Sequence, residues 1–159
     1  MIVLGIDPGI ALTGWGLVRK KANPELINFG CIKTLPEVPS QERLFKIFED
    51  LEKIIKDYRP KIMVAEKLFF NTNAKTALAV GEARGVIKIC AVRNRLPLVE
   101  FTPLQVKNSL TGYGRAEKKQ IQAMVKILLG LSEIPQPDDA ADALAVALTY
   151  CFYHPNLEK

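Results

Sequence analysis

The sequence predicts an α/β fold, in which helices flank a mixed β-sheet that starts with antiparallel strands. Three β-type segments come first in the chain, before any segment with helical periodicity. From residue 40 onward, helical segments alternate with two short apolar strands. The length of 159 residues, with 48% hydrophobic and 25% charged residues, suits one globular domain over residues 1–159 and excludes a disordered or fibrous chain.

The first three strands are predicted as an antiparallel meander over residues 2–34. Ile2–Ile6 is an apolar run, and the turn sequence Asp7-Pro8-Gly9 follows it, which puts the aspartate at the tip of a buried strand. Gly14–Val18 and Leu26–Ile32 are the next β-type stretches, and a basic segment with Asn-Pro separates them. These features predict three consecutive strands.

The fourth strand and the helices around it follow from capping residues and periodicity. Ser40 is predicted as the N-cap of an amphipathic helix that ends near Arg59. Ile62–Ala65 is the next buried strand, with Glu66 at its end, as Asp7 is at the end of the first strand. Asn73 is predicted to cap a long helix.

The C-terminal half is predicted as one strand and three further helices. The long helix extends to about Arg95, and Leu98–Phe101 forms the fifth strand. Thr102-Pro103 supplies an N-cap followed by proline at the first helical position. The later helices are predicted over Ala116–Leu129 and from about Asp138 to Tyr150.

The charge distribution favours a polyanionic partner. The net charge of +5 is uneven along the chain. Residues 84–126 hold nine Lys and Arg against two Asp and Glu, whereas residues 127–159 hold one against five. A basic segment can attract nucleic acid, and an acidic cluster can hold a divalent cation against it. Solvated helix faces are the alternative explanation.

Other features argue against several classes of protein. Asp7 interrupts the N-terminal apolar run, and no run approaches the roughly 18 residues of a membrane span, so we expect a cytoplasmic protein without a membrane segment or signal peptide. Cys31, Cys90 and Cys151 lie far apart, which predicts reduced thiols. The only histidine is His154, which makes a Ser/His/Asp triad a poor hypothesis.

Acidic residues form the most informative pattern. Asp7 and Glu66 both end predicted buried strands, so their side chains lie close together if these strands are neighbours. In the last helix, either Asp139 or Asp138 can share a face with Asp142. Clustered carboxylates repel one another, and Mg²⁺ or Mn²⁺ with oxygen ligands offsets that repulsion. The pattern therefore indicates a phosphoryl-transfer site, although each acid has another explanation: Asp7 can cap the Pro-Gly turn, Glu66 can be a surface residue just past its strand, and Asp138 or Asp139 can be the N-cap of the last helix.

Several motifs occur along the chain in a specific order: Ile6-Asp7-Pro8-Gly9 with Thr13-Gly14 and Gly16, Glu66 through Phe69 and Asn73 into Leu78, Gly81, Ala83, Arg84 and Gly85, Gln105-Val106-Lys107, Ala116-Glu117-Lys118, and Asp139-Ala140-Ala141-Asp142-Ala143-Leu144-Ala145. Together they resemble the RuvC-type Holliday-junction resolvases, which are bacterial endonucleases with an RNase H-like fold. The resemblance runs from end to end. It implies a mixed five-stranded sheet of three antiparallel and then two parallel strands.

The resemblance also implies a reaction and a cofactor. In this family the four acids, here Asp7, Glu66, Asp139 and Asp142, hold catalytic Mg²⁺, and the Asp-Ala-Ala-Asp pattern selects Asp139 over Asp138. The physics fits two ions per site, and Mn²⁺ is expected to substitute. The implied reaction is hydrolysis of DNA phosphodiesters, leaving 5′-phosphate and 3′-hydroxyl ends, in recombination and repair.

The expected partners follow from the substrate. A four-way junction needs cuts on two symmetry-related strands, and one chain carries one acidic cluster, so a C₂ homodimer is expected. The resemblance also implies a branch-migration motor complex as a partner. Lys107, Lys118 and Arg115 are placed to hold phosphates. Phe69 is expected to stack on an unpaired base, whereas Phe70 is interpreted as a packing residue.

Alternative functions remain at this point. Another nuclease of the same fold, acting on RNA/DNA hybrids or as an exonuclease, would share the acids and the metal. The segment Gly5-Ile6-Asp7-Pro8-Gly9 with Thr13-Gly14 also resembles the phosphate loop of actin-like sugar kinases, but 159 residues cannot supply their second half. A DNA-binding module without catalysis would not need the four acids, and a structural subunit would not need the basic segment.

Overall fold

A computed structural model of the chain describes residues 1–67 and 74–153. The secondary structure elements are β1 (Ile2–Asp7), β2 (Leu12–Arg19), β3 (Glu25–Lys33), α1 (Ser40–Tyr58), β4 (Ile62–Glu66), α2 (Ala74–Arg93), β5 (Leu98–Phe101), α3 (Pro103–Thr111), α4 (Lys118–Leu128) and α5 (Asp138–Tyr153). The predicted order of strands and helices is confirmed. No helix within the described residues is long and apolar enough to cross a membrane.

The five strands form one mixed sheet in the order β3-β2-β1-β4-β5. Strand β1 lies at its centre, antiparallel to β2 and parallel to β4, while β5 extends the parallel half. Strand β3 pairs antiparallel with β2. Three antiparallel strands followed by two parallel ones is the arrangement expected from the sequence. The carboxyl ends of β1, β4 and β5 therefore meet at one edge, where ligand sites of α/β sheets form.

Helices cover both faces of the sheet, because alternate residues of the central strands are buried on opposite sides. On one face, Val3 and Val64 pack in a core with α3, α4 and α5. On the other face, Leu4, Ile6 and Met63 pack against α1 and α2. Burial of both faces explains why these strands are apolar runs without polar alternation.

Helix boundaries depend on local capping, and some differ from the prediction. Thr102 caps α3 as predicted, since its hydroxyl accepts a hydrogen bond from the Gln105 N–H at 3.1 Å. The predicted cap at Ser40 is wrong: Pro39 holds the N-cap position with extended backbone, and Ser40 is the first helical residue. Helix α4 begins at Lys118 rather than Ala116, because Glu117 at the cap pairs its N–H with the Gln120 side chain at 2.7 Å.

The far ends of two helices also differ from the prediction. Helix α2 ends at Arg93. Arg95 has a positive φ of 55°, which is incompatible with a right-handed α-helix, so the helix cannot extend to it. Helix α5 extends past Tyr150 to Tyr153. The predicted cap at Asn73 and the residue His154 lie outside the described residues.

Helix α5 lies directly on the sheet because glycines remove the side chains between them. Gly5 of β1 and Gly16 of β2 are cross-strand partners beneath the helix, and a Cβ at Gly5 would lie 2.9 Å from the Cβ of Ala147. A Cβ at Gly14 would overlap the carbonyl oxygen of Asp139. The first turn of α5 is therefore fixed above Gly14, whose cross-strand partner is Asp7.

This contact predicts a large cost for a single methyl group. Gly14→Ala should lower the free energy of unfolding by about 1–3 kcal/mol, because backbone atoms of α5 must move to admit the Cβ. Urea unfolding monitored by circular dichroism measures the change. Gly30→Ala is the matched control in the same sheet, since the three atoms nearest to its Cβ would all belong to a side chain, that of Trp15, the closest at 3.0 Å. Equal stabilities of the two variants would contradict close packing of α5 on β2.

Candidate active site

Two acids come together at the carboxyl ends of the central parallel strands. Ile6 of β1 pairs with Ala65 of β4, so Asp7 and Glu66 are the next residues on adjacent strands. Asp7 shares a sheet face with Gly5, beneath α5. Glu66 shares a face with Val64, which packs in the core that contains α5. Both carboxyl groups therefore lie on the face that α5 covers.

Helix α5 brings two further acids to the same edge. Asp139 lies in its first turn above Gly14, and Asp142 follows three residues later on the same face. Ala143, Leu144 and Ala147, through which the helix packs on β1 and β2, are fully buried. The structure thus places all four predicted acids around the end of β1.

The burial and mutual repulsion of these acids change their acidities. The pKa of Asp7 is raised to about 7, because its carboxyl group is largely shielded from solvent and because Asp142, Asp139 and Glu66 add negative charge nearby. Burial, with the charge of Asp142, also raises the pKa of Glu66. The pKa of Asp142 is raised as well, chiefly by burial. Asp7 is therefore the electrostatic centre of the cluster.

Lys118 forms ion pairs with two acids of α5. Its ammonium lies 2.9 Å from Oδ2 of Asp142 and 3.4 Å from Oδ2 of Asp138. Its hydrogen bond to Asp142 and the nearby carboxylates raise the pKa of Lys118, so the amine stays charged. This charge also opposes the rise in the pKa of Asp7. The ammonium offsets part of the repulsion within the cluster.

Three of the four acids line two adjoining clefts. One cleft, of about 230 Å³, lies between Glu66, Asp142, Lys107 and Lys118. The other, of about 270 Å³, is lined by Asp7, Glu66 and Arg84. Glu66 and Pro103 border both clefts. Lys107 and Lys118 line the first cleft together with Glu66 and Asp142, so it can receive a phosphate group beside the carboxylates.

The donor set suits a hard divalent cation. All four acids offer oxygen ligands, and a cation would relieve the repulsion that raises the pKa of Asp7. Within residues 1–67 and 74–153, no three His, Cys, Asp or Glu side chains already lie at ligand spacing. The acids therefore fit Mg²⁺ or Mn²⁺ by chemistry and charge, and phosphate oxygens would complete the coordination.

Asp138 and Asp139 differ in their surroundings. Asp138 is exposed and pairs with Lys118 at 3.4 Å. Asp139 is half-buried, and its charge acts on Asp7. Asp138 is not among the charges that shift the pKa of Asp7. These surroundings favour Asp139 as the residue that works with Asp7.

The structure brings one of the other predicted residues to the clefts that contain the acids. Lys107 lines the cleft beside Glu66, as expected for a phosphate contact. Arg115 lies exposed in the loop before α4 and is not among the residues that line either cleft. Phe69 and Phe70 lie outside the described residues.

Arg84 is a residue near the site that the sequence did not assign to it. Its guanidinium donates hydrogen bonds to the backbone carbonyl of Glu66 and to the carboxylate of Glu100. Its positive charge also opposes the rise in the pKa of Glu66. In the sequence, Arg84 belongs to one of the motifs that resemble the family, but the motif gives no partner for it.

Comparison with known proteins identifies close relatives. The family model for the crossover junction endodeoxyribonuclease RuvC matches residues 3–150. The RuvC of Desulforamulus reducens is 54% identical over 151 residues, covering 94% of this chain and 93% of that protein. The RuvC of Caldicellulosiruptor saccharolyticus is 55% identical over 152 residues, covering 94% and 92%.

A solved structure agrees with the sequence comparison. The Thermus thermophilus RuvC in complex with Holliday junction substrate matches with a TM-score of 0.92 at 39% identity, covering 96% of this chain and 94% of that one. The match confirms the RNase H-like fold and the resemblance found in the motifs.

The raised pKa of Asp7 predicts how metal-free stability depends on pH. A carboxyl group whose pKa rises on folding favours the folded state at low pH, and that stability is lost as the pH rises from about 4 to about 7. Asp7→Asn removes this loss. The stability advantage of the variant over the wild type should grow by about 2–3 kcal/mol between pH 5 and pH 8.5, measured by urea unfolding with chelator.

A second aspartate supplies the control for this prediction. Lys46 and Lys53 hold the pKa of Asp50 below its usual value. Asp50→Asn should therefore bring no stability gain at high pH. An advantage of Asp7→Asn that stays constant with pH would contradict the burial of its charge.

Proposed function

Because the chain belongs to the RuvC family of crossover junction endodeoxyribonucleases, we propose that it resolves four-way (Holliday) DNA junctions by paired, symmetric phosphodiester hydrolysis. The match over almost the whole chain to the Thermus protein in complex with its Holliday junction substrate supports this most directly. The reaction leaves 5′-phosphate and 3′-hydroxyl ends and serves recombination and repair. Residues 1–159 act as one nuclease domain.

The nucleases of this family depend on a metal, and we infer that Mg²⁺ is the ion here. Asp7, Glu66, Asp139 and Asp142 would hold two ions, with Mn²⁺ able to replace them. When bound, these ions lower the pKa of the attacking water and stabilise charge on the leaving oxygen. The all-oxygen donor set and the raised pKa of Asp7 support this assignment.

The other residues of the site bind and orient the substrate. Lys107 and Lys118 both line the cleft that contains Glu66 and Asp142, so both can pair with phosphates of the same strand. Lys118 keeps Asp142 in place until DNA arrives, since its ammonium is 2.9 Å from that carboxylate. Arg115 is proposed to hold a phosphate farther from the acids, and Phe69 to stack on a base at the crossover.

A homodimer is proposed because one junction needs two cuts. The outward face of α2 suits a second copy of the chain. Leu78, Ile89 and Val92 expose 69%, 64% and 78% of their surface, respectively. Gly81 and Gly85 also lie on this helix, and a Cβ at either position would meet no atom within 4 Å. Small and apolar residues on one helix face allow two helices to approach closely across a C₂ axis. A branch-migration motor is proposed as a further partner on family resemblance alone.

Cleavage assays test the function. Purified protein should place paired nicks in a labelled four-way junction with Mg²⁺ and none with excess chelator. Linear duplex, single strands and RNA/DNA hybrid should stay uncut. Cleavage of the RNA/DNA hybrid would agree with the proposed metal site but would contradict the junction as the substrate. Binding without any cleavage would reduce the protein to a DNA-binding module.

Substitutions of the acids test the site within the same assay. Asp7→Asn and Asp139→Asn should abolish cleavage while junction affinity is retained or increased, because each removes a ligand and a negative charge near phosphate. Asp138→Asn is the matched control, since Asp138 is exposed and forms an exposed ion pair with Lys118 at 3.4 Å. It should cut at close to the wild-type rate. Loss of cleavage in Asp138→Asn but not in Asp139→Asn would reverse the assignment.

A charge on the outer face of α2 tests the dimer. Ile89→Glu should weaken self-association at least about tenfold, because it would bury a carboxylate in an apolar contact. Sedimentation velocity across a range of concentrations measures this. Ile127→Glu on α4 is the control, since Ile127 is 68% exposed on a different helix. Equal association constants for both variants would place the dimer contact elsewhere.

A further inference from the structure

Arg84 is mostly buried and has two protein partners. Its side chain is 11% exposed, and it extends from α2 to the ends of two strands. One nitrogen donates to the carbonyl oxygen of Glu66 at the end of β4, and another pairs with the carboxylate of Glu100 on β5. A guanidinium presents its donors in a rigid planar fork, so two fixed acceptors determine its position.

The end of β4 has limited support from the sheet. The pairing of β4 with β1 stops at Ala65, one residue before Glu66. On the other side, Glu66 pairs with Phe101, and the N–H of Lys67 donates to the Phe101 carbonyl at 2.6 Å. The Arg84 hydrogen bond is thus an additional constraint on the backbone that carries the Glu66 carboxyl group.

Arg84 also borders the cleft that contains two of the acids. Asp7, Glu66 and Arg84 line the same cleft of about 270 Å³. The Glu100 carboxylate on the neighbouring strand neutralises the guanidinium and gives it a second fixed partner. Removal of one member of such a pair leaves the other charge partly buried and unpaired.

We propose that Arg84 is a positioning residue that fixes the end of β4, and with it the carboxyl group of Glu66, relative to Asp7, and that Glu100 anchors the guanidinium for this role. The inference rests on the proposed nuclease function, in which Glu66 is a ligand. Mutation of a group that orients a metal ligand from outside the coordination sphere typically lowers metal affinity or activity by about 10–100-fold.

Kinetics on the four-way junction test the proposal with the full-length protein. Arg84→Gln should lower kcat about 10–100-fold and raise the Mg²⁺ concentration for half-maximal rate. Junction affinity in chelator should stay within about twofold of the wild type. Arg84→Lys keeps the positive charge but loses the planar guanidinium. Its kcat should therefore fall between those of the wild type and Arg84→Gln.

Glu100 supplies a second, independent variant. Glu100→Gln should lower kcat less than Arg84→Gln, because the amide oxygen still accepts a hydrogen bond. The double variant should be no slower than Arg84→Gln alone, since both changes remove the same constraint. Calorimetric titration of Mn²⁺ into the free protein gives a readout without DNA, in which both single variants should bind more weakly than the wild type.

A charge pair elsewhere on the same helix is the matched control. Arg93 lies 3.6 Å from Glu52, and neither residue lines the clefts that contain the acids. Arg93→Gln should leave kcat and Mn²⁺ affinity within about twofold of the wild type. Equal losses in Arg93→Gln and Arg84→Gln would indicate a general effect on α2 and would overturn the proposal.

Other outcomes separate the possible failures. An unchanged kcat with weaker junction binding in chelator would make Arg84 a phosphate contact instead. If Arg84→Gln does not fold, wild-type kinetics and Mn²⁺ affinity in Arg84→Lys and Glu100→Gln overturn the proposal. An inactive wild-type protein would reject the nuclease function, and the Mn²⁺ titration would still decide whether Arg84 positions Glu66.

Discussion

The close contact between α5 and the central strands determines the rest of the site. Without the glycines of β1 and β2, Cβ atoms would overlap atoms of α5, so the helix would lie farther from the sheet. Asp139 and Asp142 would then lie too far from the ends of β1 and β4 to act with Asp7. The glycines thus serve the chemistry indirectly, since they set the distance between two rigid elements that each carry half of the acids.

This geometry opposes stability in the free protein. Partial burial and the charges of neighbouring acids raise the pKa of Asp7 to about 7, so near neutral pH the cluster carries an unfavourable charge. Lys118 offsets part of this charge from α4, and Arg84 acts on the Glu66 side from α2. The cations therefore come from elements other than those that carry the acids. A divalent cation and a phosphate could enter such a site without any change of fold.

The sequence allowed most elements and the four acids to be predicted because those features depend on local patterns. Strand ends and helical spacing are visible in the chain, and a capping motif such as Thr102 with Gln105 is complete within four residues. The cap at Ser40 was misplaced because Pro39 takes the extended conformation that ends the preceding loop. The choice of Asp139 over Asp138 depended on the family pattern, because both lie in the same helical turn.

Arg84 could not be predicted because its partners are distant in sequence and one of them is a backbone carbonyl. Glu66 lies 18 residues before it and Glu100 lies 16 residues after it. The same helix carries the exposed apolar face proposed for the dimer, so α2 connects the end of β4 with that surface. A second copy packed on this face would restrict the motion of α2, whose Arg84 binds the backbone of Glu66. Dimer formation and the geometry of the acids would then depend on one structural element, which suits an enzyme that must act on two strands together.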